Sequence, residues 1–271
     1  MRVRRIAILI DGGFFIKRLP KLRPNRRATP QNVATAAYHI CKRHVERLVH
    51  LPEGSKGGLW LDHVYRLFYY DARPYEGIDH HPLLNRRIEF DKTDTAIFRE
   101  ALFTELRRKR KFAIRLGHVQ KDHGWQIDPS KTKSLLKLLP WLDAIQDAVL
   151  DGAPLPDLSA PQRQELQRAF SGLKAIDANS VRLGMRQKGV DMRIGLDIAS
   201  MTLKHQVDTL ILVTGDSDFV PAAKLARREG VEFLLDPMWQ SVSADLNEHV
   251  DGIVSSFPKP QKPENSDEAS R

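Results

Sequence analysis

Short apolar runs, each meeting an acid or a turn at its carboxyl end, constrain this chain more than any other feature. Residues 3–10 lead into Asp11-Gly12-Gly13, residues 209–213 lead through Thr214-Gly215 to Asp216, and residues 231–235 follow Gly230. Runs this short, apolar and rich in branched side chains read as strands buried on both faces, which is the habit of a parallel sheet covered by helices. The segments between them fit. Thr29-Pro30 opens a helical pattern to residue 50, and further helices are expected over 93–109, 192–205, 219–228 and 243–249, with Gly230 as a C-terminal cap. Strands are expected at 64–70, ending at Asp71, at 112–119 and at 252–254.

Two stretches stand outside this rhythm. Residues 14–27 read as a basic loop. Residues 120–184 read as an inserted helical subregion, with helices over 135–149 and 161–173 separated by the Pro-rich Pro154-Leu155-Pro156. Residues 258–271 hold almost nothing to bury and are expected to form a disordered tail. The expectation is thus an α/β chain with one domain over 1–257, an insertion at about 120–184, and a tail.

Composition narrows the function. Of 271 residues, 41% are hydrophobic, enough for a sizeable core without covalent staples. Cys41 is the single cysteine, so an intramolecular disulfide and a cysteine-rich zinc site are excluded and a reducing cytoplasm fits. The apolar run at 6–10 is cut by Asp11, unlike a signal peptide, and no stretch reaches the ~20 apolar residues of a membrane helix. Secretion and membrane partners are therefore not expected. A formal charge of +9 points to polyanions, because clustered Lys and Arg gain free energy by releasing counterions from phosphates.

The acids suggest what is done to such a partner. In open parallel sheets the loops at the carboxyl ends of the strands converge on one crevice. Asp11 stands at one such end and Asp216 and Asp218 at another, while Asp191, after the Gly189 bend, starts a helix leading back to the 209–213 strand. Carboxylates gathered in a partly desolvated crevice repel one another, and a hard divalent cation relieves the repulsion. Magnesium or manganese held there activates water for phosphodiester hydrolysis, with no nucleophilic side chain required. Each acid also has a plainer reading: Asp11 as a turn residue, Asp191 as a helix cap, Asp216 or Asp218 as the cap of 219–228, and Asp197 as the i,i+4 partner of Arg193.

Ile8-Leu9-Ile10-Asp11-Gly12-Gly13, Lys188-Gly189-Val190-Asp191 with Asp197, and Leu212-Val213-Thr214-Gly215-Asp216-Ser217-Asp218-Phe219 together resemble the NYN domain, a branch of the PIN-like nucleases. Residues 241–254 resemble the segment that closes such domains. The resemblance runs in order over about residues 3–257. It implies a three-layer α/β/α PIN-like fold with a mostly parallel central sheet. It also implies magnesium- or manganese-dependent ribonuclease activity, with Asp11, Asp191, Asp216 and Asp218 as metal-holding catalytic carboxylates and Asp197 as a helper at the metal. The middle, residues 73–186, is longer than the minimal domain and carries no assignable motif.

RNA is the expected partner, with assembly into a homo-oligomer left open. Lys17, Arg18, Lys21 and Arg23, followed by Arg26 and Arg27, lie just downstream of Asp11, and Arg186 and Lys188 just upstream of Asp191. The run from Arg107 to Lys111 is denser but ends a helix, where cations also suit the dipole. Phe14, Phe15 and Trp125 are candidates for stacking on bases. Asp79-His80-His81 spells the tripeptide of the DHH phosphoesterases but reads as a surface loop. Asp216-Ser217-Asp218 echoes the nucleophile motif of haloacid dehalogenase-like phosphatases, yet too little sequence follows it for that family's other motifs. A PIN-like DNA nuclease and a catalytically silent RNA-binding or scaffold module remain the rival readings.

Overall fold

The computed structural model describes residues 3–52, 58–150, 152, 154 and 157–260. Most of the expected tail, 261–271, and parts of the Pro-rich stretch lie outside the described residues. The chain divides into two compact units, the first made of 1–75, 91–119 and 187–271 and the second of 76–90 and 120–186.

The first unit opens with β1 (Ile6–Asp11), α1 (Gly12–Leu22), α2 (Pro30–Leu48) and β2 (Val64–Arg73). The second supplies the hairpin β3 (Ile78–His81) and β4 (Arg86–Glu89), and the first resumes with α3 (Asp94–Arg107). Strand β5 (Phe112–Ile127) carries the chain into the second unit again, which holds α4 (Pro129–Leu136), α5 (Leu142–Leu150) and α6 (Ala160–Lys174). Strand β6 (Val181–Lys188) returns it to α7 (Val190–Leu203), β7 (Thr209–Val213), α8 (Val220–Arg228), β8 (Glu232–Asp236), α9 (Ala244–Glu248) and β9 (Gly252–Ile253).

Seven strands form one sheet in the order β6-β5-β2-β1-β7-β8-β9. Every pairing from β5 through β9 is parallel. Alternation along β1 shows how the layers are made: Ile6, Ile8 and Ile10 face a core shared with α1, α2 and α3, whereas Ala7 and Leu9 face a second core built with α7, α8 and α9. Each fully buried Ile or Leu contributes roughly 1.5–3 kcal/mol, so a strand buried on both faces is a stable central element. This is the mixed α/β architecture with a mostly parallel central sheet that the sequence leads one to expect, and it is consistent with a PIN-like α/β/α fold. Among the described residues no helix is long and apolar enough to cross a membrane.

Some local expectations are corrected. Residues 14–22 are not a loop, although 23–27 are: α1 begins directly at Gly12, because Phe15 and Leu19 recur at helical spacing and bury against the sheet. In the 120–184 region the expected helix over 161–173 is α6, but the one expected over 135–149 is broken, with α4 ending at Leu136 and α5 starting at Leu142 around Pro140. The region also holds strand, since β5 runs on to Ile127 and β6 starts at Val181. Asp79, His80 and His81 lie not in a loop but in β3, paired antiparallel with β4.

Candidate active site

The site is built by the middle of the sheet. β1 and β7 are neighbours with Ile10 beside Val213, so the chain leaves both strands at the same edge and brings Asp11 next to Thr214. Asp11 is at once the last residue of β1 and the N-cap of α1: one carboxylate oxygen accepts the Phe14 amide at 3.0 Å and the other accepts the fully buried Thr214 hydroxyl at 3.2 Å. The Thr214 hydroxyl oxygen in turn accepts the Asp216 amide at 3.3 Å, tying the two acidic turns together. Burial raises the Asp11 pKa most, the charge of Asp216 raises it further, and the hydrogen bonds from Phe14 and Thr214 pull the other way. Glycine is required at Gly12. A Cβ there would meet the Tyr70 carbonyl oxygen and the Tyr69 ring, each at 2.6 Å.

Asp216 caps a single 3-10 turn, Ser217–Phe219, by accepting the Asp218 amide at 3.0 Å. Asp216 thus caps this short turn rather than the 219–228 helix, and Asp11 caps α1 rather than serving as a simple turn residue; a carboxylate has about four lone-pair sites and neither cap uses them all. Asp218 is exposed, and the N-cap of α8 is Phe219, so capping that helix does not account for it. Asp191 is also exposed, in the first turn of α7, where Gly189 turns the chain with a left-handed φ of 73°. Partial shielding from water raises the Asp191 pKa, and so do the charges of Asp11, Asp216 and Asp218, in that order. The four acids thus share one electrostatic neighbourhood.

Asp197 has different company. It accepts the Tyr70 hydroxyl at 2.8 Å and pairs with Arg115 at 3.1 Å, rather than with Arg193. Burial foremost, and then the Asp197 charge, push the Tyr70 hydroxyl well above its ordinary range, so it stays a donor to that carboxylate.

Asp71, to which the sequence assigned no role, is completely buried near the end of β2 and ion-paired with Arg99. Burial raises its pKa foremost; Arg99 opposes this and the Asp11 charge adds to it. One Asp71 oxygen and the Tyr69 hydroxyl are buried with no hydrogen-bond partner among the described residues. The available signal was positional, an acid near the end of the strand beside β1. Among the described residues, the group of potential ligand atoms all within 4.8 Å of one another is a different one, Asp245, Glu248 and His249 at α9. His249 there bonds the Asp245 carbonyl at 2.7 Å, which accounts for its position as a helix-end contact.

The basic residues divide by what they touch. Lys17 and Lys21 are exposed on α1. Arg18 donates to the Met238 carbonyl at 2.8 Å and ties α1 to the loop after β8, and Arg23 lies over the Phe257 ring at 4.6 Å. Lys188 is half-buried; its carbonyl would lie 2.3 Å from a Cβ on Gly117. Arg186 is exposed on β6, in the second unit. In the denser run Arg108 pairs with Glu105 at 2.9 Å and Lys111 donates to the Val64 carbonyl at 2.9 Å. Phe15 is buried and Phe14 packs against the same core, while the Trp125 ring is tilted by 53° against His81 with centroids 4.8 Å apart. Of these three aromatics only Phe15 is fully buried.

The NYN domain matches residues 152–256, the family that the sequence motifs resemble. Among solved structures, a crystal structure of a protein of unknown function from Vibrio parahaemolyticus RIMD 2210633 is similar at 15% identity, over 95% of this chain and 99% of that one, with a TM-score of 0.41. No curated protein matches.

Proposed function

From the NYN domain as premise, we propose that this chain is a divalent-metal-dependent ribonuclease that hydrolyses RNA phosphodiester bonds at Asp11, Asp191, Asp216 and Asp218. The observation that carries the proposal is the convergence of these acids: Asp11 and Asp216 leave the ends of two adjacent parallel strands and are tied through the Thr214 hydroxyl, and Asp191 at the start of α7 lines one groove with Asp218. The donor set is oxygen only, which suits Mg2+ or Mn2+ and not zinc. Bound there, the ion supplies Lewis acidity that activates water and offsets phosphate charge. Magnesium keeps several waters and takes only one or two carboxylates directly, so acids spaced more widely than a closed cage are compatible with it.

The chain's own groups do the rest. Thr214 and the Phe14 amide fix the orientation of Asp11, and the Asp218 amide fixes Asp216. Asp197, held by Tyr70 and Arg115, positions α7 and with it Asp191. Lys17 and Lys21, with Arg23 and Lys188, draw in the phosphate backbone. In this reading residues 1–257 are one NYN/PIN-like nuclease domain with the 120–184 insertion, acting in the cytoplasm.

The test uses the purified full chain with end-labelled single-stranded RNA, and DNA of the same sequence, in Mg2+, Mn2+ or EDTA. RNA cleavage is expected in either metal and not in EDTA, with Asp11→Asn and Asp216→Asn each slower by at least about a hundredfold, as expected when a metal ligand loses its charge. RNA that is bound but intact in both metals would favour the silent RNA-binding module, and equal cleavage of DNA would overturn the ribonuclease assignment.

A further inference from the structure

The turn that follows β8 lies at the same edge of the sheet as the acids, since β8 runs parallel beside β7 with Asp236 next to Val213. It is built against local preference. Met238 and Trp239 stand in succession at left-handed φ of 48° and 62°, a region that large side chains avoid unless their surroundings hold them there. Here the surroundings do. Asp236, fully buried, accepts the Met238 amide at 2.8 Å and the Ser256 amide at 3.1 Å, and it pairs with the buried His44 ring at 2.8 Å. The Met238 carbonyl accepts Arg18, and the Trp239 indole donates to the Phe257 carbonyl at 2.6 Å.

What this bracing delivers to the site is Gln240. Its backbone amide closes the turn on the Pro237 carbonyl at 2.8 Å, and its side chain is carried to Gly215, where a Cβ would meet the carboxamide nitrogen at 2.7 Å. Gly215 joins Thr214, the partner of Asp11, to Asp216, so the carboxamide lies against the acidic turn itself. The Gln240 side chain is exposed, and among the described residues its carboxamide has no hydrogen-bond partner. A strained and braced turn thus presents an unspent donor and acceptor beside the acids.

We infer that Gln240 is a specificity-determining residue that hydrogen-bonds the 2′-hydroxyl of the ribose beside the scissile phosphate. This rests on the ribonuclease reading, which places that phosphate at the acids. Chemistry selects the occupant. A phosphate there is served by the metal ion and by cations, and needs no neutral partner. A carboxamide donates through its nitrogen and accepts through its oxygen, which matches a hydroxyl, itself donor and acceptor, and the 2′-hydroxyl is the group by which a protein tells RNA from DNA. The bracing sharpens the choice, because a polar group fixed in place is left unpaired by a substrate that lacks the hydroxyl.

The test is a panel of end-labelled oligoribonucleotides, each with one 2′-deoxy nucleotide at a different position, cut by the purified full chain in Mg2+. For the wild type, replacement at the nucleotide next to the cut is expected to slow cleavage there by about tenfold, the worth of one hydrogen bond. Gln240→Met keeps the length of the side chain and removes both hydrogen-bonding groups. It is expected to slow the all-ribose substrate by about the same factor and to leave the 2′-deoxy substrate unchanged, so that the two are cut alike. The ratio is taken within one preparation, so any loss of folded protein cancels. A variant that keeps the wild-type ratio, one that slows both substrates equally, or a wild type indifferent to every replacement overturns the assignment of Gln240. Binding of the all-ribose oligomer and its all-deoxy counterpart is measured in EDTA, where nothing is cut. A wild type that never cuts but prefers the ribose form, with that preference lost in Gln240→Met, sinks the nuclease and keeps the contact. One that cuts RNA while Gln240→Met discriminates as before sinks the contact alone.

Discussion

Behind the four acids of the site, Asp71 is buried against Arg99, and the pair decides whether the end of β2 can stay charged. Removing one member of a buried ion pair typically costs about 3–5 kcal/mol, because the other is left uncompensated. Arg99→Met is therefore expected to lower the urea midpoint markedly. The loss should depend on pH. The Asp71 pKa already lies above its unfolded value, and without Arg99 it rises further. A carboxyl that holds its proton more tightly when folded leaves stability intact below its unfolded pKa and erodes it as pH rises toward the folded one. Arg99→Met should thus be closer to wild type at about pH 4 than at about pH 7, since near pH 4 the unfolded carboxyl is already about half protonated and the folded one more so. Equal losses at both pH values would show that packing, not charge, is what Arg99 contributes. Gly12 makes a second case at this scale. Its missing Cβ is space taken by the Tyr70 carbonyl and the Tyr69 ring, so Gly12→Ala is expected to cost about 1–3 kcal/mol of overpacking strain and, by shifting Asp11, to reduce RNA cleavage as well.

At the scale of elements, what could be read in the sequence was what depends on local pattern. β1 and β7 announced themselves by apolar runs, α2 by its Thr29 cap and Pro30, and the bend before α7 by Gly189. α1 was hidden because Asp11-Gly12-Gly13 and Pro20 look like loop chemistry, although Phe15 and Leu19 already mark a buried helical face. The hairpin β3–β4 and strand β6 were hidden for another reason. Their residues include many exposed and polar side chains, so no apolar run marks them, and pairing makes them strands, β3 with the neighbouring β4 and β6 with the distant β5. Gly189 shows how a legible element yields a test. Nothing lies within 4 Å of a Cβ at this position, but its φ is 73°, so Gly189→Val would cost about 1–2 kcal/mol in backbone strain rather than in clash. If that turn aims Asp191, the variant should lose cleavage while keeping its affinity for RNA in EDTA. Retained activity would separate Asp191 from the site.

At the scale of the molecule, the site exists only through topology. Asp11 and Asp216 are far apart in sequence and meet because β1 and β7 lie side by side, a pairing that strand-end positions suggested and that no local pattern could fix. Asp197, which the resemblance grouped with the other acids and local spacing paired with Arg193, is engaged by Tyr70 and Arg115, because the side chains that surround α7 were invisible from its own sequence. Charge works at the same scale. The net +9 gives a general attraction for RNA, but only cations that meet phosphates release counterions. Lys17 and Lys21 are exposed on the helix that Asp11 caps, whereas Arg18 is occupied by the Met238 carbonyl. Binding of single-stranded RNA, followed from about 50 to 200 mM salt, should give a linear log–log plot, and Lys17→Ala with Lys21→Ala should reduce its slope by about 1.4, or about 0.7 for each phosphate no longer neutralised. Arg18→Ala should leave the slope nearly alone and act on stability instead. If the double variant weakens binding without changing the slope, these lysines are not at the phosphates, and the RNA path does not follow α1.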